Sequence, residues 1–178
     1  MNITFVDGDL IQIESLPMYN ENRISIVGQA VNCRGKQGAG LAKQMKAKYP
    51  MQFMEYEELC NSESHSTQYK LLGHAQITQV NPKRFIFNAF TQIDYGRQGL
   101  FTVYGGVNKA FRNLKFEIEL IQQDFDGLDH NNESLVDVYL PFEMCCGLAG
   151  GEWSKVLPII EDNLRMLSIN LIFVNKKA

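Results

Sequence analysis

The chain has 178 residues, of which 45% are hydrophobic and 21% charged. That is enough for one domain with its own core, and too apolar for a disordered segment. No apolar run reaches the roughly 20 residues that span a bilayer, and Met1–Val6 lacks the basic stretch of a signal peptide, so the expectation is a cytoplasmic protein. A net charge of −3 leaves no broad basic face for duplex nucleic acid.

The elements follow in chain order. Ile3–Val6 reads as a strand and Asp7-Gly8-Asp9 as the turn that ends it. Ile24–Val31 is a second strand, and it runs into a loop, Asn32–Gly40, carrying Gly35, Gly38 and Gly40. Leu41, Met45 and Tyr49 recur every four residues, which predicts a helix over 40–49. Pro50 suits the first turn of a second helix, with Phe53, Tyr56 and Leu59 or Cys60 on its buried side and a polar loop at Asn61–Ser66. Ala75–Val80 alternates as a strand, Asn81-Pro82 turns, and the unbroken apolar run Phe85–Phe90 predicts a strand covered on both faces.

A long loop, 91–103, comes next. Thr102 is the expected N-cap of a helix whose stripe is Tyr104, Val107, Phe111, Leu114, Ile118, Ile121 and Phe125. Polar Asp126–Asn132 is expected to end that helix, Leu135–Leu140 to form a strand, and Pro141–Gly151 a second glycine-rich loop. The last helix is expected to start near Ser154, where Pro158 is tolerable, and to run to about Leu167 before a final strand at Ile169–Val174. This alternation predicts one α/β domain over 1–178, with a mixed sheet between helical layers.

Glycine loops that follow strands allow a backbone to approach an anion, and the helix behind adds free N–H groups. Three loops follow strands here: Asp7-Gly8-Asp9, Asn32–Gly40 and Cys146–Gly151. In α/β folds ligands lie beyond the carboxyl ends of strands, so the three can share one cleft. An asparagine at the loop entrance, Asn32, can both donate to and accept from a sugar. A P-loop, the dinucleotide fingerprint and a serine-nucleophile elbow are all missing. Arg34, Lys36, Lys43, Lys46 and Lys48 cluster beside the first loop, either as a solvated helix face or as a positive rim for a phosphate-bearing ligand. Cys33, Cys60, Cys145 and Cys146 are expected to be reduced thiols. With His65, His74 and His130 they show no metal-ligand spacing, so neither a metal nor a cofactor is expected. Glu152 suits a helix start and Trp153 an anchor for the last helix.

Taken together, Val6-Asp-Gly-Asp-Leu10, Val31-Asn-Cys-Arg-Gly-Lys-Gln-Gly-Ala-Gly-Leu-Ala42, and Leu140-Pro with Cys146-Gly-Leu-Ala-Gly-Gly-Glu-Trp153 resemble the macro domains, which bind ADP-ribose. The resemblance covers nearly the whole chain and implies a three-layer α/β/α sandwich around a mixed sheet of about six strands. It implies that Asp9 contacts adenine with support from the Leu10 backbone, and that Asn32 holds the distal ribose. By the same resemblance Gly38, Ala39 and Gly40 wrap that ribose and a phosphate, while Gly147, Leu148, Ala149, Gly150 and Gly151 form a second phosphate loop. Val174 and Asn175 occupy the region that packs on the adenine, where relatives often carry an aromatic.

The segment Phe87–Gly96 is similar to the branch acting on ADP-ribose 1″-phosphate, found in compact bacterial and phage proteins. Relatives that free ADP-ribose from glutamate carry a lysine where this chain has Phe90 or Thr91, and an aspartate where it has Ala149. The yeast-type phosphatase has a histidine at the position of Gln29. What the resemblance leaves for catalysis is Asn32 as an orienting group, Asp94 as a general base in the long loop, and Tyr95. Three functions are open: hydrolysis of ADP-ribose 1″-phosphate or a related terminal ADP-ribosyl linkage, antitoxin-like hydrolysis of ADP-ribosylated nucleic acid, and non-catalytic reading of ADP-ribose. The expected partner is ADP-ribose or a derivative, including an ADP-ribosylated macromolecule.

Overall fold

The structure is a computed structural model that describes residues 1–96, 98–125 and 135–176. The expected helix end at Asp126–Asn132, and His130 with it, lie outside the described residues. Six strands form one sheet: β1 (Asn2–Asp7), β2 (Ile24–Asn32), β3 (Ala75–Asn81), β4 (Arg84–Gln92), β5 (Val136–Pro141) and β6 (Ile169–Asn175), in the order β1-β6-β5-β2-β4-β3. Every neighbouring pair is parallel except β3 with β4. Parallel strands need crossovers, and α1 (Gly40–Lys48), α2 (Pro50–Ser62), α3 (Tyr104–Phe125) and α4 (Trp153–Leu164) supply helical cover for both faces.

The period of two along the central strands divides the core. Ile26, Phe87, Val138, Leu140, Leu171 and Phe173 pack with α3 and α4 on one face. Val27, Ile86, Tyr139, Ile172 and Val174 turn to the other, where Met45 of α1 and Tyr49 meet them. Beside them Val31 and Phe90 pack on Phe53, Tyr56 and Cys60 of α2. The result is an α/β/α sandwich, and the doubly covered strand expected at Phe85–Phe90 is buried from Arg84 through Thr91. Gly28 lets the central strand pass beneath its cover, since a Cβ there would stand 2.4 Å from Leu140 Cδ2. No helix among the described residues is long and apolar enough to cross a membrane.

Three local expectations need correction, and one segment was not expected. Asp7-Gly8-Asp9 leads into a 3₁₀ segment, Leu10–Ser15, and Asp9 caps it by accepting from the Ile11 N–H at 3.0 Å. The polar loop after α2 is shorter than expected, because the helix runs to Ser62 and a second 3₁₀ segment covers Gln68–Leu71. α4 starts at Trp153 and ends at Leu164, with Pro158 inside it. As the sixth residue of the helix, Pro158 has no N–H to give the Ser154 carbonyl, so the i→i−4 ladder loses one bond in its second turn. Trp153 anchors that start through edge-on contacts with Phe142 and Phe173.

Thr102 is not the N-cap of α3. Its hydroxyl lies 2.7 Å from the Cys145 carbonyl and 3.2 Å from that of Ala149, and the residue is 4% exposed. Backbone N–H groups of Phe101 and Thr102 donate to the same Ala149 carbonyl at 2.8 and 3.0 Å. The loop after β4 is thereby fastened to the loop after β5. Thr102→Val keeps the shape and deletes the hydroxyl, and is expected to cost about 1–2 kcal/mol in denaturant unfolding. An unchanged midpoint would show that this tether contributes nothing to stability.

Candidate functional site

Because β1, β6, β5, β2 and β4 run parallel, their carboxyl ends share one edge of the sheet. A cavity of about 1030 Å³ opens there, between the loop after β2 and the loop after β5. Gln29, Asn32, Gly38, Gly40, Gly147 and Ala149 are part of its wall.

The first loop is folded around the amide of Asn32, which is 6% exposed. Asn32 Oδ1 accepts from the N–H of Arg34 at 2.9 Å and of Lys36 at 3.3 Å, and lies 3.0 Å from the Tyr56 hydroxyl. Its Nδ2 donates to the Lys36 carbonyl at 2.7 Å. Tyr56 also reaches the Asn32 backbone carbonyl at 2.8 Å from the buried side of α2. The oxygen is thus fully engaged, and one Nδ2 hydrogen remains for a ligand. Beyond this knot the chain opens: a Cβ added at Gly38 or Gly40 would meet nothing within 4 Å. Ala39 heads α1 without a side-chain cap, so the first-turn N–H groups of α1 are left for an anion.

The second loop is held in an unusual backbone path. Glu143 (φ 54°), Cys145 (φ 69°) and Gly150 (φ 69°) all lie in the left-handed region. Gly151 N–H donates to the Cys145 carbonyl at 2.9 Å, and Gly150 N–H to that of Gly147 at 3.0 Å. Gly150 is required by contact as well as by φ, because a Cβ there would lie 2.4 Å from the Gly99 carbonyl oxygen.

Among the residues singled out from sequence, Asn32, Gly38, Ala39, Gly40, Gly147, Leu148 and Ala149 come together on the cavity. Gly150 and Gly151 lie behind it and shape the second loop. Asp9, Leu10 and Asn175 are outside the lining: Asp9 caps its 3₁₀ segment, Leu10 is 4% exposed in the core, and Asn175 Nδ2 donates to Asp7 Oδ1 at 3.3 Å. Asp94 is exposed and outside the lining too, although Gln92, Tyr95 and Gly96 are part of it. Its Oδ2 accepts from Arg34 Nε at 3.3 Å and Nη2 at 3.2 Å.

The basic cluster divides. Lys46 and Lys36 line the cavity, and the Lys46 ammonium sits 3.5 Å over the Phe53 ring. Lys48 is turned away to Glu14 and the Ile11 carbonyl, and Arg34 is held by Asp94, Gln68 and the His65 carbonyl. Cys145 is the cavity's buried thiol, and burial pushes its pKa up to about 12, so it stays protonated at neutral pH. Burial likewise raises Cys33 to about 12, in keeping with a packed side chain. Among the described residues no three His, Cys, Asp or Glu side chains are grouped to hold a metal ion.

Sequence reasoning missed Gln37 and underrated Gln29, both cavity residues that are almost fully buried. The available signal was an amide inside an apolar strand, Ile24–Val31.

No protein-family model and no curated protein matches the chain. Solved structures do. A Bacteroides thetaiotaomicron protein of unknown function superposes with a TM-score of 0.74 at 22% identity, over 99% of both chains. A Streptomyces coelicolor macrodomain protein gives 0.70 at 21% identity, over 99% of this chain and 100% of that one. A Thermosipho africanus DarTG structure in complex with ADP-ribose gives 0.66 at 18% identity, over 99% of this chain and 42% of that one. The six-stranded mixed sheet and its two helical layers are therefore the macrodomain fold.

Proposed function

We propose that the chain is an ADP-ribose-binding macro domain that hydrolyses ADP-ribose 1″-phosphate or a related terminal ADP-ribosyl linkage. The observation that carries this reading is the pair of glycine loops facing each other across one cavity of about 1030 Å³. A diphosphate needs anion-binding backbone on two sides. The open Gly38–Gly40 stretch with the uncapped start of α1 supplies one, and Gly147–Ala149 the other. The resemblance in sequence and the fold shared with an ADP-ribose-bound structure support the same ligand. The distal ribose lies at Asn32, whose free Nδ2 hydrogen donates to a hydroxyl, and the adenine extends toward Asp9 and Asn175 at the ends of β1 and β6.

Hydrolysis adds one water to the 1″-phosphate and yields ADP-ribose and inorganic phosphate. Asp94, held at its loop by Arg34, is the base assigned to take the water's proton. Multiple-turnover phosphate release from ADP-ribose 1″-phosphate is the test. Asp94→Ala is expected to slow it by about 100-fold or more, and full turnover by that variant would remove Asp94 from the mechanism.

A binding-only reading has its own observation: Asn32 Oδ1 is fully engaged within its loop and the Cys145 thiol stays protonated. ADP-ribose binding with no phosphate release would select it. Faster turnover of an ADP-ribosylated oligonucleotide than of the free phosphate ester would select the nucleic-acid substrate, with Lys36 and Lys46 as its basic contacts.

A further inference from the structure

The order of strands along the sheet edge is also an order along the bound ligand. The carboxyl ends stand in the sequence β1, β6, β5, β2, β4, with neighbouring strands roughly 4.8 Å apart. On the ADP-ribose reading the adenine lies at the ends of β1 and β6, and the diphosphate between the loops after β5 and β2. The distal ribose lies at Asn32, the last residue of β2. A group joined to C1″ of that ribose then reaches the next place in the row, past β2 and over the end of β4.

The cavity continues there. Gln92 at the end of β4 and Tyr95 in the loop after it belong to its wall, with Phe53 and Glu57 of α2, Lys46 of α1 and Lys36 of the first loop. α2 is fixed beside this end of the sheet because Phe53, Tyr56 and Cys60 pack on Val31 and Phe90.

This stretch of wall carries an excess of positive charge. Lys36 and Lys46 are exposed, and neither forms an ion pair among the described residues. Glu57, half-buried one turn along α2 from Phe53, is the carboxylate beside them, so two ammonium groups stand against one acid. Lys46 is also held in place: its ammonium sits 3.5 Å from the centroid of the Phe53 ring, itself part of the wall. The ring attracts the charge through its face and leaves the N–H groups for other acceptors. A lysine already positioned in this way gives up less side-chain freedom when an anion arrives. The neutral 1″-hydroxyl of ADP-ribose gains little from such a group, whereas a phosphate ester, close to doubly charged at neutral pH, gains charge-assisted hydrogen bonds.

We infer that Lys46, with Lys36 beside it, holds the terminal phosphate of the ligand, and that this pair lets the cavity tell ADP-ribose 1″-phosphate from ADP-ribose. Lys46 is a specificity residue and transfers no proton. The inference rests on the ADP-ribose reading and adds a subsite to it.

The test compares ADP-ribose with its non-hydrolysable 1″-methylenephosphonate, each titrated calorimetrically. Wild type is expected to bind the phosphonate about tenfold more tightly at low salt, with the preference shrinking as salt is raised. Lys46→Met keeps the apolar stem and removes the charge. It is expected to bind ADP-ribose as wild type does and to lose most of the preference. Lys43→Met is the control, exposed on the same helix but outside the cavity wall, and is expected to match wild type for both ligands.

Equal affinity of wild type for the two ligands would overturn the inference, as would a preference that survives in Lys46→Met. Equal weakening of both ligands by Lys46→Met would reduce the residue to a packing role, and the same loss in Lys43→Met would reduce the effect to diffuse surface charge. Either result overturns the inference, and all four leave ADP-ribose binding in place. A folded wild type that binds neither ligand would overturn the ADP-ribose reading itself.

Discussion

Asn32→Ala is expected to destabilise the protein by about 2–4 kcal/mol and to abolish measurable ligand binding. Four bonds are lost at once: acceptance from the N–H groups of Arg34 and Lys36 and from the Tyr56 hydroxyl, and donation to the Lys36 carbonyl. Tyr56 is fully buried, and its hydroxyl would lose the side-chain oxygen while keeping the Asn32 backbone carbonyl. The segment that carries Gly35, Gly38 and Gly40 would then lack the group around which it folds. Tyr56→Phe is the companion substitution: it removes one hydroxyl, leaves the other three bonds, and is expected to cost about 1 kcal/mol. Denaturant unfolding of the two variants checks the argument. Wild-type stability in Asn32→Ala would show that the loop is held by its backbone path alone, and Asn32 would then be a ligand residue only.

Gly38→Glu and Gly147→Glu are expected to act in the opposite sense, leaving the fold intact and removing affinity. A Cβ at either position meets nothing within 4 Å, and neither glycine lies in the left-handed region. Both line the cavity, one on each glycine loop. A carboxylate in each loop places a negative charge where a phosphate is to bind, and two unit charges about 4 Å apart repel by about 4 kcal/mol at an effective dielectric near 20. Each single variant should therefore lose about a thousandfold in ADP-ribose affinity with a melting temperature close to wild type. Gly150→Ala gives the contrast. Its Cβ would stand 2.4 Å from the Gly99 carbonyl oxygen at a φ of 69°, so that variant should lose stability first. Unaltered ADP-ribose affinity in both glutamate variants would mean that the diphosphate does not lie between these loops.

Elements with a single strong period could be read from the sequence. The stripe from Tyr104 to Phe125 lies on α3 over its described length, and the apolar run Phe85–Phe90 is the core of β4. The two glycine loops were legible because glycine after a strand has few other uses there. The third loop and the polar assignments were not. Thr102 precedes a helix by the right interval for a cap, yet its partners are the carbonyls of Cys145 and Ala149, which lie more than forty residues away in the chain. Asn32 reads as a sugar ligand, but its second task, holding the loop through an oxygen that lies 3.0 Å from the Tyr56 hydroxyl of α2, has no local signal. Asp9 sits at the end of β1 as expected, but the 3₁₀ segment that it caps gives no periodic signal over six residues. Gln29, Gln52, Gln76 and Asn88 are scattered over four elements, and nothing in their spacing shows that they meet. Local pattern fixes an element's type, while a polar side chain's role is set by partners brought from elsewhere in the fold.

Calorimetric titration with ADP-ribose, on the wild type and on the Gly38→Glu/Gly147→Glu double variant, tests the central claim most directly. Saturable one-to-one binding by the wild type, with no heat from an equally folded double variant, is the expected result. A folded wild type that takes up no ADP-ribose would contradict the account and would mean that the two glycine loops enclose a different ligand.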